Sequence, residues 1–225
     1  MAIFTDDFLF PLCIAKKGAA DLDRFAGSAF AIDNKGHIVT CKHIIENVQS
    51  DELIIAKDLK SNQFHELTAI RTHPKYDFCL SKIDAIKKNI SPVPYRKFGM
   101  GLEIAAFGFT YNGKFEGRIK VDQRCLKGNI VLLAEHEHIF DKRSPSVIET
   151  SFPSIEGFSG GPLFTGECKY LIGMMYGNRE SRIEAHSFIE IDKNGEKYKE
   201  VHNRIVELGL AHSVYDNLRM IKEVQ

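Results

Sequence analysis

Gly157-Phe158-Ser159-Gly160-Gly161-Pro162-Leu163-Phe164 is the stretch on which the reading of this chain turns. A serine hydroxyl is a weak nucleophile until a neighbouring base takes its proton. The oxyanion formed on attack must also be met by backbone N–H groups aimed at it in advance. Glycines around the serine permit the tight turn that aims those groups at one point, and the N–H groups of Gly157 and Ser159 are the natural donors. The plain alternative is a glycine-rich turn before the strand Leu163-Phe164. The string alone does not decide between the two, so the rest of the chain must supply the base.

Two further stretches do so. His43 follows the apolar run Gly36-His37-Ile38-Val39-Thr40-Cys41-Lys42 and precedes Ile44-Ile45. Imidazole titrates near neutrality and suits a general base that later acts as general acid. The other eight histidines lack this setting. Lys42 is expected to point away from the imidazole, since neighbours in an extended chain face opposite sides. Asp77 stands before Phe78-Cys79-Leu80, and a carboxylate entering an apolar strand needs a buried partner. It would accept the second N–H of His43 and hold its tautomer. Asp84 is a weaker candidate because it follows that strand. The alternatives are a satisfied histidine at a strand end and a solvated turn acid.

Short apolar runs separated by Gly, Asn, Asp and Pro fill the chain from Phe8 to about residue 191. Asp33-Asn34-Lys35-Gly36 reads as a hairpin turn, with Gly36 taking positive φ. Many short strands with regular turns predict an all-β sandwich or barrel. From Lys197 to Gln225 the apolar spacing, Val201, Ile205, Leu208 and then Val214, Leu218, Ile221, predicts one or two terminal helices. Thr110 to Gly117 and Gly177 to Glu184 read as mobile loops.

The 225 residues suit one large domain or two small packed ones, and the 30 basic and 30 acidic residues cancel. That balance argues against nucleic acid or an anionic membrane as the main partner. No apolar segment reaches the ~20 residues of a membrane span. Phe8 to Ala15 is broken by Pro11 and preceded by Asp6 and Asp7, so it reads as a first strand and not as a secretory signal. The five cysteines, Cys13, Cys41, Cys79, Cys125 and Cys168, are scattered without a CxxC pair. They are expected as free, mostly buried thiols in a cytoplasmic protein. His136-Glu137-His138 could offer two metal ligands on one strand face, but with no third ligand in view no metal is expected. Glu46, Asp51 and Glu52 read as a solvated acidic loop.

Taken together, the three stretches resemble the trypsin-like, chymotrypsin-fold serine peptidases, nearest in style to the bacterial HtrA-type branch without a PDZ domain. There the base sits in a T-A-A-H type motif, matched by Thr40-Cys41-Lys42-His43. The aspartate opens a D-h-A-L-L-K-h type strand (h is apolar), matched by Asp77-Phe78-Cys79-Leu80-Ser81-Lys82-Ile83. The nucleophile sits in a G-D/N-S-G-G-P motif, with Phe158 here at the polar position. The chain order His, Asp, Ser also matches and differs from the subtilisin and α/β-hydrolase orders.

The resemblance implies two six-stranded antiparallel β-barrels with the active site between them. The expected boundaries are residues 1–95, 96–195 and a helical segment 196–225 packing on the barrels. It implies a serine endopeptidase that needs no cofactor, acts on protein or peptide substrates through His43, Asp77 and Ser159, and forms its oxyanion hole from Gly157 and Ser159. The family's primary pocket would draw on Phe152, Tyr176, Gly177 and His186. No acid stands where a trypsin-like pocket would hold Lys or Arg, so an apolar or small pocket is expected, with His186 adding polar selectivity. The competing reading is a non-catalytic or latent binding domain on the same fold. Latency would bring in an activating or recruiting protein.

Overall fold

Leu9–Lys16 (β1) is apolar at almost every position and buried along nearly its whole length, which suits a strand with neighbours on both sides. It lies between β2 (Leu22–Ala31) and β4 (Glu52–Lys57). Pro11 is tolerated because it faces Ser28 of β2, whereas the β4 pairing begins only at Leu12, so its missing N–H deprives no neighbour. In this computed structural model the described residues are 7–19, 21–74, 76–84, 93–94, 98–115, 117–134, 147–191, 194–214 and 217.

The first sheet also contains β3 (His37–Thr40), β5 (Phe64–Glu66), β6 (Thr68–Thr72) and β7 (Cys79–Lys82), in the order β5-β4-β1-β2-β3-β7-β6. Helix α1 (Lys42–Glu46) leaves directly from β3, anchored by buried Ile44. The turn before β3 forms as expected: Gly36 has φ +88°, and Asp33 accepts from the Lys35 and His37 N–H groups.

The second sheet comprises β8 (Val93–Pro94), β9 (Glu103–Phe115), β10 (Arg118–Ala134), β11 (Val147–Thr150), β12 (Pro162–Thr165), β13 (Tyr170–Ile191) and β14 (Lys197–Ser213). Its order is β12-β9-β10-β11-β14-β13-β8, and a β12–β13 pairing closes six of these strands into a ring. One apolar cluster fills the first sheet and continues into Phe109, Phe164, Met174 and Val214 of the second half. Another, around Ile104, Ile130, Phe158 and Met175, fills the ring.

The all-β architecture stands, but the expected pair of six-stranded barrels does not. The first sheet is a seven-stranded open half-barrel. The second is a seven-stranded sheet with a six-membered ring. The expected terminal helix is also corrected: Lys197–Ser213 is a strand, and beyond it only Val214 and Asn217 among the described residues are helical. The rest of that expected helix, from residue 218 on, lies outside the described residues. The misreading has a physical cause. Most of β14 runs in an exposed two-stranded ribbon with β13, and a ribbon with no core face is under no pressure to alternate apolar and polar residues. The two expected loops are likewise strand: Tyr111–Phe115 lies in β9 and Gly177–Glu184 in β13. Among the described residues no helix is long and apolar enough to cross a membrane.

Candidate active site

Thr40 of β3 pairs with Cys79 of β7 at the end of their antiparallel ladder. His43, three residues beyond Thr40 on α1, and Asp77, two residues before Cys79, therefore emerge side by side. The His43 Nδ1 lies 2.6 Å from Asp77 Oδ2, and the His43 backbone N–H donates to Asp77 Oδ1 at 2.8 Å. Two bonds to one carboxylate fix both the helix start and the ring. The His43 side chain is 44 % exposed and that of Asp77 25 %, so the pair is partly open to solvent. Burial pushes the Asp77 carboxyl upward. The His43 ring and backbone hydrogen bonds, with the nearby charge of His43 and His212, outweigh it and hold the group below its usual value. Lys42 does point elsewhere, for a different reason than expected: it is helical and pairs with Glu46 one turn on, at 3.3 Å.

Ser159 lies in the loop between β11 and β12, and that loop is tied to both halves of the molecule. The Ser159 carbonyl accepts from the Ser28 N–H of β2 at 2.9 Å. The fully buried Ser28 hydroxyl donates to the Gly157 carbonyl at 2.7 Å and accepts from the Phe109 N–H at 2.9 Å. Gly160 N–H donates to the Met175 carbonyl, and Met175 N–H returns a bond to Gly161, both at 2.8 Å. Gly160 has φ +84°, and a Cβ there would sit 2.0 Å from the Ser28 carbonyl oxygen, so both its conformation and its contacts demand glycine. Within the loop the N–H groups of Phe158, Gly160 and Gly161 are all bonded to carbonyls. Among the described residues those of Gly157 and Ser159 donate to no backbone carbonyl.

The aromatic at the position before Ser159 is a core residue. Phe158 is fully buried in the second cluster, and its ring lies against Gly108, where a Cβ would come within 2.9 Å. Cys41 is also fully buried. Its Sγ donates to the Met175 carbonyl at 3.3 Å, and burial first, then the adjacent Asp77 carboxylate, hold its pKa well above the usual thiol value. Cys41, His43 and Asp77 bring one potential ligand atom each within 4.8 Å of one another. The thiol is held protonated and the His43–Asp77 bond occupies Nδ1, so the arrangement fits a hydrogen-bonded support better than a metal site. His136-Glu137-His138 lie outside the described residues.

Of the expected pocket residues, Tyr176 lies closest to this centre. Its ring stacks on His212 at 3.9 Å and 10°. Its phenol is pushed up to about 12, first by burial and then by the nearby Asp77 charge. Gly177 follows it on β13, facing Leu210 of β14. Phe152 is buried in the second cluster, and its carbonyl accepts from Gly209 at 2.8 Å. His186 is elsewhere. It sits on the exposed ribbon nine residues beyond Gly177, roughly 30 Å along the strand, packed on Phe188 and His202. On the other side of His43, a cavity of about 190 Å³ is lined by Ile14, Arg24, Phe25, Ala26, His43, Ile44 and Asn47.

Sequence reasoning missed Ser28, Asn178, Cys41 and His212. Asn178 bonds the Ser154 N–H and carbonyl at 2.6 and 2.8 Å, joining the loop before Ser159 to β13. Ser28 carried a signal, a hydroxyl inside the apolar run Gly27-Ser28-Ala29-Phe30, which had to find buried partners. His212 carried none, because its segment read as helix. Asp84 is exposed beyond β7. Glu52, expected as a solvated loop acid, is instead 8 % exposed and held by both guanidinium nitrogens of Arg24.

Comparison with known proteins agrees with this fold. In solved structures the fold is similar to that of the HtrA-type protease AlgW with decapeptide: TM-score 0.58, 18 % identity, covering 96 % of this chain and 63 % of that one. A variant of the same protease with decapeptide gives TM-score 0.59 and 17 % identity, covering 96 % and 62 %. The chain thus spans less than two thirds of the length of these structures. No curated protein sequence matches. The trypsin-like peptidase domain family matches residues 27–174, which hold all of β3, α1, β7 and the Ser159 loop, and the chain belongs to that family.

Proposed function

We propose that this chain is a serine endopeptidase that hydrolyses peptide bonds through an acyl-enzyme. The observation that carries the reading is the His43–Asp77 pair, a 2.6 Å side-chain bond reinforced by the main-chain bond at 2.8 Å. Asp77 stays ionised, fixes the proton on Nδ1 and leaves Nε2 to act as base. Ser159 Oγ gives its proton to His43 as it bonds to the scissile carbonyl carbon. His43 returns that proton to the departing amine when the C–N bond breaks. A water molecule then attacks the acyl ester with His43 again as base, releasing the acid and restoring Ser159. The unengaged N–H groups of Gly157 and Ser159 would hold the oxyanion; removing one such donor typically costs about 10²–10³ in rate.

A protein or peptide substrate would lay its acyl side along Tyr176 and Gly177 of β13, and its leaving side over the cavity beside His43. The similar solved proteases carry a decapeptide, which supports a peptide ligand. The primary pocket is proposed to be apolar or small, and cleavage after Lys or Arg is expected to be poor in a P1 library. The five cysteines, all unpaired, fit a reducing cytoplasm.

A fluorophosphonate probe tests the reading. Labelling of the wild type, lost in Ser159→Ala and strongly reduced in His43→Ala, is expected. No labelling of the folded wild type, alone or with candidate substrates, would reject a constitutively active enzyme and leave a latent or binding domain.

A further inference from the structure

The β13–β14 ribbon projects from the second sheet, and among the described residues no other strand pairs with its outer part. Strand β11 reaches β14 only at Gly209–His212, and β12 and β8 reach β13 only at Tyr170–Met174. Asn178–Ile191 and Lys197–Leu208 therefore pair, among the described residues, only with each other. About a dozen residues per strand make an arm roughly 40 Å long. Two-stranded ribbons are marginal in water, and open edges recruit other strands. This arm also displays apolar residues on both faces, including Ile189 and Ile191 on one and Ile183 and Tyr198 on the other, each more than half exposed.

The two edges differ. On the β13 side Ala185 is an extra residue, bulged between the Glu184–Asn203 and His186–His202 pairs, and a bulge protects an edge from further pairing. From Lys197 to Leu208 β14 is regular. We infer that this edge pairs antiparallel with the same edge of a second copy of the chain, about a two-fold axis at His202, so that two arms form one four-stranded sheet.

Residue order supports this register. With His202 facing its own copy, Lys197 of one chain stands opposite Glu207 of the other, Glu200 opposite Arg204, and Tyr198 opposite Val206. Symmetry repeats each pair, giving opposite charges at four places; the one pair of like bases is His202 with its own copy on the axis. Opposite charges directly across an antiparallel pair stabilise it, and like charges destabilise it. A shift of the axis to Asn203 keeps only Lys199 against Glu207 and sets His202 against Arg204. Within one chain Glu207 faces Glu180 across the ribbon, with Arg182 3.9 Å from Glu180 and the Asn178 amide 3.5 Å from Glu207, and Lys197 of the second copy would add an opposite charge at Glu207. A two-fold interface uses the same patch twice, as here.

Sedimentation equilibrium at low salt, on Ser159→Ala protein so that autolysis cannot intervene, tests the pairing. A monomer–dimer equilibrium is expected in the micromolar range. Lys197→Glu and Glu207→Lys should each raise the dimer Kd by about tenfold or more, whereas an equimolar mixture of the two should recover near wild-type association, because each then meets its opposite charge. Register is read separately by mild oxidation in a Cys125→Ser background. His202→Cys should form a disulfide-linked dimer, while Asn203→Cys, about 7–8 Å from its copy, should not. A wild type that stays monomeric at 100 µM, or a dimer indifferent to both reversals, overturns the proposal. Cross-linking at 203 in place of 202 overturns the register. None of these readouts depends on peptidase activity, so the arm and the proposed reaction stand or fall apart.

Discussion

The Ser28 hydroxyl bridges two chain segments on either side of the site, donating to the Gly157 carbonyl at 2.7 Å and accepting from the Phe109 N–H at 2.9 Å. Its own N–H holds the Ser159 carbonyl, and its carbonyl accepts from Thr40 Oγ1 at 2.8 Å. One residue of the first sheet thus sets the backbone of the loop that carries Ser159 and ties it to the strand that leads to His43. Packing alone would leave this loop free to rotate its peptides; the two bonds from Ser28 to the Gly157 and Ser159 carbonyls do not. Ser28→Ala removes the two side-chain bonds and leaves a buried carbonyl and a buried N–H unpaired. A loss of about 2–4 kcal/mol is expected in denaturant unfolding, since each orphaned group costs about 1–3. Fluorophosphonate labelling should slow by more than the fraction unfolded explains. An unchanged labelling rate would show that the loop holds its shape without Ser28.

Asp77 accepts from both the ring and the main chain of His43, so its two contributions can be separated. Asp77→Asn keeps the shape and a polar partner but presents a donor to Nδ1, favouring the wrong tautomer. A drop in kcat of about 10⁴ is expected, the size seen for this change in related triads, with folding largely kept. In the wild type the carboxyl is held below its ordinary value. Its protonation therefore adds no loss of activity until the pH falls beneath the usual aspartate range. A distinct acid step near pH 4 that disappears in Asp77→Asn would contradict that assignment.

Phe158 shows how a departure from the expected polar residue is accommodated. The ring fills space that the bare Gly108 backbone leaves open, and it does so fully buried. Phe158→Ala should cost about 3–5 kcal/mol through lost burial and a cavity. Phe158→Asn, which restores the polar residue usual in the family, should be no better, because its amide would have to be desolvated among Ile104, Ile130 and Met175. A thermal-shift comparison of the two decides the matter. Full stability in the asparagine variant would mean that the side chain turns out of the core.

The pairing of His43 with Asp77 and the glycine turn around Ser159 were legible because each motif joins a reactive group to a backbone feature: a strand end, a strand start and a tight turn. The all-β class was legible where burial imposes alternation or continuous apolar runs, as in β1 and β7. Legibility failed where burial imposes nothing. In β14, Val201, Ile205 and Leu208 match a helical spacing by composition, and only pairing with β13 makes them strand. His186 was drawn into the pocket because Gly177–Glu184 was read as a loop that could return the chain to the site, whereas it is part of one strand running far into solvent. Glu52 was misread because its burial depends on Arg24, 28 residues earlier, and a long-range ion pair leaves no local pattern.

Thiol chemistry should follow the burial pattern of the five cysteines. Cys125 is exposed, Cys168 half-buried, and Cys13, Cys41 and Cys79 buried. Desolvation raises all five, to about 12 for Cys13 and Cys79, so thiolate is scarce at neutral pH and access decides the order. In native protein, maleimide mass tagging should modify Cys125 first, Cys168 slowly and the other three only on unfolding. Rapid native modification of Cys41 would mean that the interior beside Asp77 opens on the timescale of labelling.

Glu52 offers a stability signal separable from activity. Its carboxylate accepts from Arg24, at 2.8 Å for the second guanidinium nitrogen, and from the Gln49 N–H at 2.8 Å. The Arg24 hydrogen bond first, then that of Gln49, lower its pKa from 4.5 to about 2. A carboxylate whose folded pKa is depressed stabilises the protein fully above its unfolded pKa and loses that contribution as pH falls through the folded value. Glu52→Gln should therefore lower Tm by a constant amount above about pH 5. The gap to wild type should narrow between about pH 4.5 and 2, where the wild-type group also becomes neutral, and close below that. Added salt should reduce the gap only in part, because the Gln49 bond and one side of the pair are shielded from solvent. A gap that persists unchanged at pH 2 would show that Glu52 stabilises through shape and packing and not through its charge.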